Sequence, residues 1–172
     1  MLFNQERARE ILGREGCDGL LAVRPINQYY VSGYWGIFNT PVGYDGCYFA
    51  LVPADERRRG ALVMPALEIR RLETVGGTWL PEVYPYSNPG EADPFEDGTP
   101  RGSDYAGWPV RPGAALEPLE DRWVGIVQRL GRRMSPDAFW AVARGLKAAG
   151  LTRARVLVDD HRAASWLAAC GM

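Results

Sequence analysis

Histidine is nearly missing from this 172-residue chain, which has one, His161. That excludes a histidine-rich metal centre, or any pair of histidines, within the chain. Cysteine is scarce as well. Cys17, Cys47 and Cys170 are odd in number and far apart, which fits reduced thiols and not a disulfide frame or a zinc site. No sign of charge dominates: 20 basic against 21 acidic side chains leave a net charge of −1. The chain therefore lacks the basic field that draws nucleic acid. Lysine is all but absent, one against 19 arginines, and this bias by itself carries no functional reading. No apolar run approaches the ~20 residues of a membrane span. The first ten residues, MLFNQERARE, lack the apolar centre of a signal peptide. These absences predict a cytoplasmic protein with neither membrane nor nucleic acid as a partner. What is present, 47% apolar and 24% charged residues, suits one domain that buries about 70% of its unfolded surface.

Along the chain, Asn4 caps a first helix whose apolar face is Ala8, Ile11 and Leu12, with Gly16 as its stop. Gly19 to Val23 reads as a buried strand, and Asn27 to Gly33 as a short helix or turn. An aromatic, glycine-rich loop follows, Gly33 to Gly46, GYWGIFNTPVGYDG. Cys47 to Val52 is apolar on both faces and predicts an interior strand. Ala61 to Met64 is its hairpin partner across the polar PADERRRG turn. Pro65 opens a short helix with Leu67, Ile69 and Leu72.

Between Gly76 and Pro118 the texture changes, with eight of the 13 prolines and seven of the 20 glycines. Glu82 to Tyr86 is a strand that Pro85 confines to an edge. Residues 87–118 form a Pro/Gly-rich insertion, too long for an ordinary connection, pinned to the body by Phe95, Tyr105 and Trp108. Beyond it, Leu119, Trp123, Ile126, Val127 and Leu130 recur at helical spacing. A helix starting at the Ser135-Pro136-Asp137 cap carries Phe139, Val142, Ala143 and Leu146 on one face. Arg155 to Val158 is a strand, and Asp159 or Asp160 caps a last helix from Ala163 to Ala169. Trp166 and Leu167 have barely begun an apolar face there when the sequence stops. The order predicts an α/β fold, a mixed sheet flanked by helices.

Several constellations are set against chemistry. Gly13-x-x-Gly16-x-x-Gly19 follows a helix and precedes a strand, the reverse of a dinucleotide fingerprint, so it reads as a helix stop and a turn. Asp159, Asp160 and His161 at a strand end offer a divalent-ion site in one reading, and a helix cap with solvated side chains in the other. Arg57-Arg58-Arg59 reads as a solvated turn before it reads as an anion patch. A cysteine nucleophile has only His161 as a base, and Cys47 sits among apolar residues, where thiols are inert. The aromatic loop stands apart. Tyr34, Trp35, Phe38 and Tyr44, with Asp45, offer more aromatic surface than a loop needs. They cover either their own domain, or a ligand or second subunit.

The succession RAREILGREGCDGLLAVRPINQYYVSGYWG, YDGCYFALVP and GALVMPALE resembles the N-terminal domain of the creatinase/prolidase/aminopeptidase P superfamily. The matching parts are Asp18 to Val23, the Asn27-Gln28-Tyr29-Tyr30-Val31-Ser32-Gly33 segment, Phe49 to Pro53 and Ala61 to Pro65. The resemblance implies a creatinase/prolidase N-terminal, ribonuclease H-like fold over residues 1–172. It also implies a C-terminal catalytic domain that this sequence lacks, so no catalytic residue and no metal ligand is expected here. Divalent metal ions would belong to that missing domain. The expected role is dimerisation and substrate capping in a hydrolase of C–N bonds. The partners are the chain's own catalytic domain and a second copy. Tyr34, Trp35, Phe38, Tyr44 and Asp45 are the expected substrate-binding residues. Creatine hydrolases place an aromatic and, two residues on, an arginine before the strand. Here those positions are Tyr44 and Gly46, which leaves a non-peptide amide or amidine and a Xaa-Pro peptide equally open as substrates. The alternative is a stand-alone α/β module that binds a small molecule or a protein.

Overall fold

The computed structural model describes residues 2–39, 46–88, 93–103, 110–111 and 113–172. The chain opens with α1 (Gln5–Glu15), whose start is fixed by Asn4: its side chain accepts from the Arg7 amide at 2.9 Å. Gly16, at φ 62°, ends it in the left-handed conformation that glycine adopts without strain. β1 (Gly19–Ala22) and α2 (Pro25–Ser32) follow, then β2 (Phe49–Pro53) and β3 (Ala61–Pro65). A short 3-10 turn over Ala66–Glu68 leads into α3 (Arg71–Thr74) and β4 (Glu82–Tyr86). The last third holds α4 (Pro118–Gly131), α5 (Ala138–Ala148), β5 (Val156–Val158) and α6 (Ala163–Ala169).

The five strands form one mixed sheet in the order β4-β3-β2-β1-β5. β1 and β3 run antiparallel to β2, with Leu21 opposite Leu51 and Phe49 opposite Val63. β4 and β5 lie parallel to β3 and β1 at the two edges. Pro85 therefore sits on an edge strand, where its missing N–H breaks no ladder.

Strand alternation sends side chains to two cores, one on each face of the sheet. Ala22, Ala50, Leu62 and Met64 meet Val31 of α2, Ile126, Val127 and Leu130 of α4, and the aromatics Tyr34 and Tyr48. Leu21, Phe49, Leu51, Val63 and Tyr84 meet α5 and α6 on the other face. The result is a three-layer α/β domain.

Some local expectations are corrected. The strand expected at Cys47 begins at Phe49. Asp137, not Ser135, caps α5, accepting from the Trp140 amide at 2.9 Å. Asp159 does not cap the last helix but holds the turn between β1 and α2. Its carboxylate accepts from the amides of Val23 at 2.7 Å and Arg24 at 3.1 Å, and from the Asn27 side chain at 2.9 Å. Asp160 instead holds the turn into α6, accepting from the Arg162 amide at 3.0 Å and its guanidinium at 2.5 Å. α6 ends at Ala169. The Gly171 and Met172 amides return to Ala168 and Leu167, and Gly171 has φ 74°. Its apolar face is made by Trp166, which stacks on Phe139 at 4.8 Å and meets Phe49 edge-on at 6.3 Å. Arg58 and Arg59 are not a free turn: Arg58 donates to the Gly150 carbonyl at 2.8 Å, and Arg59 pairs with Glu82 at 2.6 Å. Of the three aromatics expected to pin the 87–118 insertion, Phe95 is buried. Tyr105 and Trp108 lie outside the described residues.

Candidate functional site

The aromatic loop starts where α2 stops. Gly33 takes φ 73°, its amide returns to the Tyr29 carbonyl at 2.8 Å, and the chain turns sharply out of the helix. From Tyr34 to Ile37 the side chains alternate, buried and exposed, as an extended segment lying on a surface must. Tyr34 is 1% exposed, and Gly36 is buried after it. Trp35 and Ile37, between and beyond them, are 37% and 38% exposed. A 3-10 turn over Ile37–Asn39 then brings Phe38 to the ring of Tyr48 and Asn39 back inside.

Under this segment lies Glu68, 0% exposed. Three donors converge on its carboxylate. The Tyr34 hydroxyl donates at 2.9 Å and the Ile37 amide at 3.1 Å, both to Oε2, while the Tyr48 hydroxyl donates to Oε1. Tyr48 in turn accepts from the Phe38 amide at 3.2 Å. The Arg71 Nε stands 3.5 Å from Oε2 without a hydrogen bond, so it compensates charge but makes no directed contact. Burial pushes the Glu68 carboxyl above its ordinary value, although Tyr34, the Ile37 amide and Arg71 pull it down. The Tyr34 hydroxyl is driven well above the usual phenol range, first by burial and then by the carboxylate it serves.

A second buried set holds the ends of the loop. The Gln28 amide donates to Ser32 Oγ at 2.7 Å and to the Tyr34 carbonyl at 3.2 Å, and its oxygen accepts from Asn39 at 2.7 Å. Gly36 has no room for a side chain, because a Cβ there would overlap the Tyr48 ring. Residues 34–39 are thus held by tyrosine, glutamate and glutamine contacts from α2, the turn after β3 and the entry to β2. Buried polar groups satisfied in this way fix one conformation.

Of the residues singled out from the sequence, Tyr34, Trp35 and Phe38 come together in this segment. Tyr34 points inward; Trp35 lies edge-on to Tyr29 at 5.4 Å, on the outside. Tyr44 and Asp45 lie outside the described residues. Asp159 holds the turn into α2, Asp160 pairs with Arg162, and His161 is exposed. Among the described residues, no group of three or more His, Cys, Asp or Glu side chains is placed to hold a metal ion. Nor is any helix among them long and apolar enough to cross a membrane. Glu68 and Gln28 escape sequence reasoning. The available signal for Glu68 is a lone carboxylate between Leu67 and Ile69, in a run that is otherwise apolar or basic.

The sequence profile of the Creatinase/Prolidase N-terminal domain matches residues 5–149. The chain belongs to this family. The match spans α1 to α5, and so contains the aromatic segment and every residue that braces it. The open five-stranded mixed sheet with its helices is the fold of a creatinase/prolidase-type N-terminal domain. Searches of curated proteins and of solved structures gave no match.

Proposed function

We propose that this domain is the dimerisation and substrate-capping part of a creatinase- or Xaa-Pro-peptidase-like hydrolase, and that it is not catalytic alone. The observation that carries this reading is the exposed pair Trp35 and Ile37, set on a segment whose alternate residues are locked inside. A lid that must exclude water needs apolar side chains facing outward on backbone that does not yield. In this reading Trp35 and Phe38, with Tyr44 and Asp45 further along, wall the far side of a pocket whose bond-breaking groups lie in a C-terminal catalytic domain. Tyr34 acts as a positioning residue through Glu68. Any divalent metal ions belong to that other domain, and the assembly is a cytoplasmic homodimer.

The test uses the full-length protein with its catalytic domain. Trp35→Ala is expected to lower kcat/KM by about tenfold or more, the usual loss when an apolar anchor leaves a closed site. Its Tm should stay within a few degrees, because the indole is partly in solvent already. Unchanged kinetic constants, or a full-length protein that sediments only as a monomer, would remove the corresponding half of the proposal.

A further inference from the structure

On the α5 side of the sheet, a cleft of about 610 Å³ is lined by Tyr84, Phe95, Arg101, Arg132, Arg133, Arg144 and Lys147, with Glu96 and Asp97 at its margin. Five cations face two carboxylates there. Arg133 is neutralised from behind by Glu82 at 2.5 Å. Among the described residues, Arg101, Arg132, Arg144 and Lys147 have no carboxylate within 4.0 Å. Asp97 is turned to Thr99, whose amide and hydroxyl donate to it at 2.9 and 2.5 Å.

The cations are held in place. The Arg144 guanidinium lies 3.2 Å from the centre of the Phe95 ring and donates to the Arg133 carbonyl at 3.0 Å. The Arg101 guanidinium lies 4.6 Å from the same ring. Arg101 Nε is shielded from solvent and, among the described residues, has no hydrogen-bond partner. Burial lowers the pKa of Arg144; the Asp97 charge and Tyr84 oppose this, and Arg133 and Arg101 add like-charge crowding. Two planar guanidiniums clamped against one aromatic ring, with a spare donor and positive charge that Asp97 offsets only in part, make a fork suited to oxyanions. The chain as a whole carries a net charge of −1, which provides no overall positive field for a long polyanion. A concave site of this size takes a small molecule.

We propose that this cleft binds a small multivalent oxyanion, a phosphate ester or a polycarboxylate, between Arg101, Arg144 and Lys147. The site lies on the sheet face away from Glu68 and does not depend on the capping role. Lys147 is the only lysine in the sequence, so an amine-directed acylating reagent reports on the cleft at one side chain.

The experiment titrates the 172-residue chain with inorganic phosphate and with citrate, at constant ionic strength, by calorimetry. The rate of Lys147 acylation is followed by mass spectrometry in parallel. Saturable binding of phosphate, citrate or both is expected, and which one binds tells the ester source from the carboxylate source. Protection of Lys147 should follow the same curve. Arg101→Gln should weaken binding about tenfold, and Lys147→Gln several-fold. Arg57→Gln, in the exposed turn, should leave it unchanged. Lys147→Gln keeps the test valid if an arginine variant fails to fold. Binding of neither probe up to 10 mM (about the weakest affinity of interest), or equal weakening by Arg57→Gln, overturns the proposal.

Discussion

The two faces of the sheet treat charge in opposite ways. On the α2/α4 face, one carboxylate, Glu68, is fully buried and surrounded by donors from Tyr34, Tyr48 and the Ile37 amide. On the α5 face, four cations stand in an open cleft with no carboxylate within 4.0 Å among the described residues, and Asp97 acts on two of them only at longer range. A charge removed from water must be answered inside the protein, so Glu68 is committed to holding the aromatic segment. A charge left at a solvent-filled concavity is answered by water and remains available for exchange. The first arrangement fixes shape, whereas the second supplies recognition.

Substitutions can break that contrast. The largest effect is expected for Glu68→Ala. It strands two tyrosine hydroxyls and a backbone amide and leaves Arg71 without its partner, a loss of about 3–5 kcal/mol read by urea denaturation. A loss below ~1 kcal/mol would mean that Glu68 does not brace the segment. Gly36→Ala comes next, at about 2 kcal/mol, because its methyl meets the Tyr48 ring and one of them must move. Tyr48→Phe should cost about 1.5 kcal/mol, since it removes one donor to Glu68 and the acceptor of the Phe38 amide. On the other face, Arg101→Gln should change stability by no more than about 1 kcal/mol, the worth of a half-buried guanidinium on an aromatic ring. A loss as large as that of Glu68→Ala would erase the distinction between the faces.

The smallest effect is in pH dependence. The folded-state pKa of Glu68 lies above its ordinary 4.5. The proton-linked part of its contribution to stability is therefore full below about 4.5 and is lost as pH rises through the higher folded value. Asp160 behaves in the opposite sense. Arg162 holds its carboxyl far below 3.8, so its contribution is present above that value and lost as pH falls further. Glu68→Gln should flatten the stability curve above pH 4.5, and Asp160→Asn the strongly acidic part. Denaturation midpoints measured from pH 2.5 upward should separate the two, and a Glu68→Gln profile parallel to the parent above pH 4.5 would contradict the assignment.

Much of the fold was legible in the sequence because its signals are local. Asn4 and Gly16 frame α1, the apolar runs at Leu20-Leu21 and Phe49 to Val52 mark strands, and Pro85 names its own edge. The ordered NQYYVSG, strand-ending ALVP and ALVMP segments also carried the family. The site was legible only in part. Trp35 and Tyr34 stood out equally as aromatics in a glycine-rich loop, yet one faces solvent and the other a buried carboxylate. Their difference is a matter of which side of an extended segment meets the sheet, and that depends on Glu68, 34 residues away from Tyr34. The cleft was less legible still. Arg101 and Arg144 are unremarkable among 19 arginines, until the fold sets both guanidiniums over the Phe95 ring.

The sequence by itself determined the helices, the strands, the hairpin and the family, because caps, turns and alternation act over a few residues and need no distant partner. Tertiary structure alone decided which charges were enclosed and which were left open. Desolvation and pairing depend on what the rest of the chain brings within a few ångströms, and no local pattern encodes that.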